Sequence, residues 1–215
     1  MSTLIYNFGD NTADGGAELK HLLGGKGANL GEMSRLGLPV PPGFTITTEV
    51  CLSFFANDGA WVDGLADNIE TSMQLLEERT GRQFGSSTNP LLVSVRSGAP
   101  VSMPGMMDTI LNLGLNDATV EGLAVQTGNP RFAYDAYRRF VKMFGDVVLG
   151  IHYALFNRAE TDFKKGKSDA ELTVEDMKGL IAVYKRVIRN ERLDIPDSPK
   201  AQLRLAIDAV FNSLR

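Results

Sequence analysis

From about Asn116 to the end of the chain an apolar residue recurs every three or four positions, whereas up to about Leu115 short apolar runs alternate with helical patterns and glycine is frequent. A change of period this sharp restricts the fold to an α/β layer followed by helices. In the helical part Asn129-Pro130 supplies an N-cap and a proline at the first helical position, after which Ala133, Tyr137, Phe140, Phe144 and Val148 repeat at helical spacing. A looser helix is expected over residues 151 to 165. Thr173 and Asp176 have the spacing of a capping box ahead of Met177, Leu180, Tyr184 and Ile188. Ser198-Pro199 opens a last helix with Leu203, Ile207, Val210 and Leu214 in one stripe, running to Arg215.

In the first part LIYNF (4 to 8) and FTITT (44 to 48) read as strands, and LLVSV (91 to 95) reads as a buried one. A helix is expected from about Gly27 to Leu36, with Leu30 and Met33 on one face and Gly37 and Pro39 as its stop. Thr47 or Thr48 can cap a short helix carrying Val50 and Phe54. A longer helix puts Trp61, Leu65, Ile69, Met73 and Leu76 on one core-facing stripe before Gly81.

Of 215 residues 43% are hydrophobic, enough for a substantial core. With 22 basic against 26 acidic residues the chain has no broad positive field for nucleic acid or an anionic membrane, so any anion site must be local. No window approaches the roughly 20 apolar residues that span a bilayer, and MSTLIYNFGDN lacks the layout of a secretory or transit signal. Cys51, the single cysteine, excludes an intrachain disulfide and fits the core of a protein in a reducing compartment. A cytoplasmic location is the expectation. The densest charge, Lys164-Lys165-Gly166-Lys167, reads as a solvated loop.

Two segments could carry chemistry. In LLGGKGANLGEM (22 to 33), Gly24, Gly25 and Gly27 free the backbone to approach a ligand, Lys26 adds a compact positive charge, and the following helix aims N–H groups at the same point. These are the parts of a phosphate cradle. It is not a Walker A loop, because Lys26 is followed by Gly27 rather than Ser or Thr, nor a dinucleotide motif, because the third glycine would fall at Leu30. The alternative is a glycine-rich turn with a surface lysine.

The second segment is RSGAPVSMPGMMD (96 to 108). Arg96 at the end of a strand can grip a phosphate with two parallel hydrogen bonds, or serve a structural ion pair. Gly98 and Gly105 permit tight turns, and Ser97, Ser102, Asp108 and Thr109 offer polar contacts. Met103, Met106 and Met107 suit either covering a ligand or filling irregular space. With only His21 and His152, and no CxxC or HExxH, a zinc site or a Ser-His-Asp triad has little to draw on.

At these segments the chain resembles the phosphoenolpyruvate-utilising dikinases, and among them the pyruvate, phosphate dikinase family. Residues 22 to 51, residues 91 to 117 with SMPGMMDTILNLGLND, and TGNPRFAYDAYRRFVKMFGDVV (127 to 148) follow that family's order. The last third is similar more loosely, and residues 52 to 90 are the least distinctive.

The resemblance implies the N-terminal half of an ATP-grasp-like nucleotide-binding domain of the α/β (α+β) class, with residues 1 to 113 plus 198 to 215 as the nucleotide-binding part and 114 to 197 as an inserted helical subdomain. It implies contacts to the ATP phosphates from Lys26 and Arg96, the two catalytic candidates. Around them it implies a binding set of Gly24, Gly25, Gly27, Ser97, Gly98, Met103, Gly105, Met106, Asp108 and Thr109, with the loop from Gly98 to Asp108 closing over the triphosphate.

In such enzymes ATP, inorganic phosphate and pyruvate give AMP, diphosphate and phosphoenolpyruvate through a histidine on a separate domain. That phosphohistidine domain, and the acidic ligands of Mg²⁺, are expected further along a longer chain than Arg215, so no metal ligand is expected within these residues. The final helix running to the last residue leads to the same expectation of a leading fragment, inactive alone in overall turnover. A sister dikinase such as phosphoenolpyruvate synthase, or a non-catalytic module keeping the dikinase fold, are the other readings.

Overall fold

The structure, a computed structural model, describes residues 3–98 and 109–214. It is of the mixed α/β class, helices with small sheets, and forms two compact units. The first comprises residues 1–82, 96–108 and 210–215, the second residues 83–95 and 109–209.

In the first unit strand β1 (Ile5–Gly9) lies between β2 (Thr12–Ala13) and β3 (Gly43–Ile46), antiparallel to both, with Ile5 opposite Ile46 and Phe8 opposite Ala13. Helix α1 (Lys20–Arg35) packs on this sheet through Leu23, Gly27, Ala28, Gly31 and Ser34. The expected face was Leu30 and Met33, yet Met33 is 41% exposed. The small residues win because they let the helix backbone approach closely: a Cβ on Gly31 would lie 2.1 Å from the carbonyl oxygen of Gly15. Ser34 fixes the register, its hydroxyl accepting from the Gly9 N–H at 3.1 Å and donating to the Thr12 carbonyl at 2.9 Å.

Helix α2 (Thr48–Ala56) is capped by Thr47, which accepts from the Val50 N–H, and buries Val50, Cys51 and Phe54. The Phe54 ring meets Phe211 at 5.2 Å, and burial pushes the Cys51 thiol up. Helix α3 (Leu65–Thr80) buries the expected Leu65, Ile69, Met73 and Leu76, while Trp61 lies ahead of it because Gly64, in a left-handed conformation, starts the helix. Near its other end Arg79 donates to the Phe8 carbonyl at 3.0 Å.

The second unit opens with β4 (Gln83–Phe84) and β5 (Pro90–Leu91), a short parallel pair, then β6 (Val93–Arg96), which pairs with β7 (Thr109–Leu113). Arg96 itself counts with the first unit. The run expected as one buried strand is thus split at Leu92, and only Leu91 is buried; Ser94 and Arg96 are exposed. With one strand neighbour and alternating side chains, β6 behaves as an edge strand.

Helices α4 (Thr119–Thr127), α5 (Pro130–Met143), α6 (Tyr153–Lys164), α7 (Val174–Asn190) and α8 (Pro199–Asn212) follow. The Asn129 side chain accepts from the Phe132 N–H at 3.0 Å, and Thr173 and Asp176 form the expected capping box at 3.1 and 3.0 Å. After Met143 the chain widens into a π turn over Phe144–Val148, leaving Val148 only half-buried. Helix α5 packs mainly on α7 and α4. Phe140, Phe144, Phe156, Met177, Leu180 and Tyr184 are fully buried, each contributing roughly 2 kcal/mol relative to exposure.

One charged group joins this core. Arg138 is 4% exposed and pairs with Asp135 at 2.7 Å and Asp169 at 3.1 Å. Glu160 receives Lys142 and Lys164, each at 2.6 Å, and the Tyr184 hydroxyl at 2.8 Å. Lys164 therefore belongs to an ion network rather than to a solvated loop, because Glu160 stands one turn before it and Asp169 five residues after. No helix among the described residues is long and apolar enough to cross a membrane.

Candidate functional site

Helix α1 is interrupted inside its glycine run. Gly24 has φ 68° and ψ 175°, so the helical path stops after Leu23 and resumes at Gly25. That backbone conformation favours glycine. Space demands it as well: a Cβ on Gly24 would lie 2.0 Å from the carbonyl oxygen of Gly98 and 2.9 Å from its carbon. From the other side, a Cβ on Gly98 would sit 3.5 Å from the Leu23 carbonyl oxygen. Within the first unit the backbones of the two glycine-bearing segments are therefore in contact.

Around that contact the expected residues divide by environment. Among the described residues nothing stands within 4 Å of the Cβ position of Gly25. Lys26 is exposed in the first turn of the resumed helix. Gly27 is buried, and a Cβ there would meet the Thr45 side chain at 2.7 Å, so its small size serves the packing of α1 on β3. Arg96 is exposed at the end of β6, Ser97 is buried beside it, and Gly98 is half-buried. Thr109 is half-buried at the start of β7 in the second unit. Met103, Gly105, Met106 and Asp108, with most of the loop from Gly98 to Asp108, lie outside the described residues.

A resumed helix start, an exposed lysine and an exposed arginine are the elements that favour a phosphate-bearing ligand: N–H groups directed along the axis, a point charge, and a planar fork. Among the described residues of the candidate set none is a carboxylate. Among the described residues no three His, Cys, Asp or Glu side chains group closely enough to hold a metal ion. His21 is exposed, and its backbone carbonyl accepts from the Thr48 hydroxyl at 3.0 Å. The His152 Nδ1 accepts from the Ala154 N–H at 3.2 Å, capping α6.

Two hollows, of about 240 and 290 Å³, lie in the helical unit and include neither Lys26 nor Arg96. Charged side chains at each have partners. In the first, Lys167 meets Asp176 at 3.0 Å. In the second, Lys185 bonds Asp117 at 2.8 Å and the Lys178 ammonium stands 4.5 Å from the centre of the Tyr134 ring. Burial and the hydrogen bond to Asp117 push the Tyr137 phenol up, and burial with Glu121 does the same to Tyr134.

The Arg138 and Glu160 network was not anticipated from sequence. Its signal was an arginine inside the apolar stripe of α5 with Asp135 one turn before it.

Residues 20–80 match the family described as Pyruvate phosphate dikinase, AMP/ATP-binding domain. Over 99% of its length the chain is 48% identical to the pyruvate, phosphate dikinase of Clostridium symbiosum and 49% identical to that of Giardia intestinalis, covering 24% and 25% of those proteins. It is 52% identical to the enzyme of Entamoeba histolytica over 93% of its length, covering 23% of that protein. The chain thus spans about a quarter of the length of these relatives. Identity near one half along nearly the whole chain, together with the nucleotide-domain match over α1 to α3, means that the chain belongs to the pyruvate, phosphate dikinase family.

Proposed function

We propose that this chain binds the phosphates of ATP through Lys26 and Arg96, as the nucleotide-binding part of an enzyme that converts ATP, inorganic phosphate and pyruvate into AMP, diphosphate and phosphoenolpyruvate. One observation carries the reading: the Gly24 and Gly98 backbones meet, and an exposed cation stands two residues from each. Phosphoryl transfer is largely positioning and charge neutralisation, and a lysine, an arginine and helix N–H groups supply both. Gly24, Gly25, Gly27, Ser97 and Gly98 provide the backbone of the site, and Met103, Gly105, Met106, Asp108 and Thr109 its cover.

An ATP-grasp-like arrangement is part of the reading, with residues 1 to 113 and 198 to 215 as the nucleotide-binding part and the helical residues 114 to 197 inserted. In its support, the segments of the first compact unit are separated in sequence by those of the helical one. The phosphoryl group would pass to a histidine on another domain of a longer protein, with inorganic phosphate as second acceptor. Magnesium would enter with the nucleotide, its acidic protein ligands lying further along that protein. We place the protein in the cytoplasm; a buried Cys51 thiol suits a reducing compartment, although the relative from Flaveria trinervia is named chloroplastic.

Calorimetric titration of ATP into the chain tests the assignment. Lys26→Ala and Arg96→Ala should each weaken binding about tenfold or more, the worth of a charge-assisted contact. Wild-type affinity in both variants would refute it.

A further inference from the structure

We infer that Gly24 is a positioning residue: its backbone contact with Gly98 sets the spacing between the Lys26 segment and the Arg96 segment, and hence between the two cations on the nucleotide. The inference rests on the phosphate-binding reading of Lys26 and Arg96. It goes beyond it by assigning the spacing of the two groups to a residue that carries no functional group at all.

Three observations carry it. Gly24 is buried and breaks α1, so the direction in which the helix resumes toward Lys26 is set at this residue. Its φ of 68° excludes an ordinary side chain without strain. The atom that a Cβ would strike, at 2.0 Å, is a backbone oxygen and cannot rotate away as the end of a flexible side chain could. Any side chain at position 24 must therefore push the Gly98 segment off the Leu23–Gly24 segment. Binding geometry for phosphate tolerates little displacement: misplacement by about 1 Å can cost on the order of a hundredfold in function.

Another glycine of the chain supplies the control. Gly81 has φ 65°, so Gly81→Ala meets the same kind of backbone strain, but among the described residues nothing stands within 4 Å of its Cβ position.

The experiment combines ATP calorimetry with hydrogen exchange on the full chain. Gly24→Ala should weaken ATP binding about tenfold or more and speed exchange at residues 96–98, while Gly81→Ala stays within about twofold of wild type in both readouts. A folded Gly24→Ala that binds ATP like wild type while Lys26→Ala does not overturns the positioning role and leaves the phosphate reading intact. Lys26→Ala and Arg96→Ala both binding like wild type refute the phosphate reading itself. Should Gly24→Ala fail to fold, the wild-type chain decides: ATP must slow exchange at residues 24–27 and 96–98 together, and protection of one segment alone overturns the inference.

Discussion

Gln202, wholly buried on α8, holds the backbone at Gly114 from across the helical unit: its side-chain oxygen accepts from the Gly114 N–H at 3.0 Å. Its amide nitrogen donates to the Leu115 carbonyl at 3.0 Å and to the Pro196 carbonyl at 2.9 Å. One amide thus satisfies three backbone groups that no strand or helix ladder reaches. Gln202→Leu keeps the volume but strands them, which should cost about 2–4 kcal/mol. Urea denaturation followed by circular dichroism measures it, and an unchanged midpoint would show that the groups find other partners.

Two glycines of α1 should respond in opposite ways to the same substitution. Gly31→Ala drives a Cβ to 2.1 Å from the Gly15 oxygen and must separate α1 from its sheet, at a cost of about 2 kcal/mol or more. Gly25→Ala meets none of the described residues and keeps a helical conformation, so stability should hold or rise by about 0.5–1 kcal/mol. On the proposed function Gly25→Ala should nonetheless weaken ATP binding, because the methyl group stands where phosphate would approach. Thermal melts and nucleotide titrations on the pair separate stability from binding.

The Glu160 cluster makes the helical unit sensitive to acid. Burial alone would raise the Glu160 carboxyl, but hydrogen bonds from Lys142, Lys164 and Tyr184 outweigh it and hold the group at about 2, below the ordinary 4.5. Because the folded-state value is the lower one, the stabilisation is present above about pH 4.5 and fades as the pH falls toward 2. Asp169 is held down mainly by Lys164 and adds to the same trend. Glu160→Gln should destabilise the fold by about 2 kcal/mol at pH 7 and flatten this acid limb. Melting curves from pH 7 to pH 3 test it; parallel wild-type and variant curves would exclude a role for the charge.

Removal of the α7 cap offers a smaller, cleaner effect. Thr173→Ala loses the bond to the Asp176 N–H and half of the reciprocal box, for about 1 kcal/mol. Amide exchange should quicken at Val174–Met177 and not at the C-terminal end of α7.

Helix starts were the most legible part of the fold. Thr47, Asn129 and Thr173 cap where the residues say they should, because a cap is a local bargain between one side chain and the next turn. Legibility falls where burial depends on distant neighbours. Leu30 and Met33 had the right spacing for a core face, but the surface that meets α1 is backbone and selects glycine and serine. LLVSV had the composition of a buried strand and became an edge pair. Lys26 and Arg96 could be put forward as site candidates from the residues around them, whereas the meeting of Gly24 with Gly98 could not be foreseen, since nothing local in either segment encodes the other.

That meeting has a consequence for biosynthesis. A nascent chain that has emerged only through α1 can form the break at Gly24 but not its neighbour, which is still to be translated along with the last third of the first hundred residues. Loop closure over such a separation is slow compared with forming a helical turn. That contact should therefore mature late, after the surrounding helices, so that a ribosome stalled before Gly98 would release a product able to build α1 to α3 but, on the proposed function, unable to hold ATP.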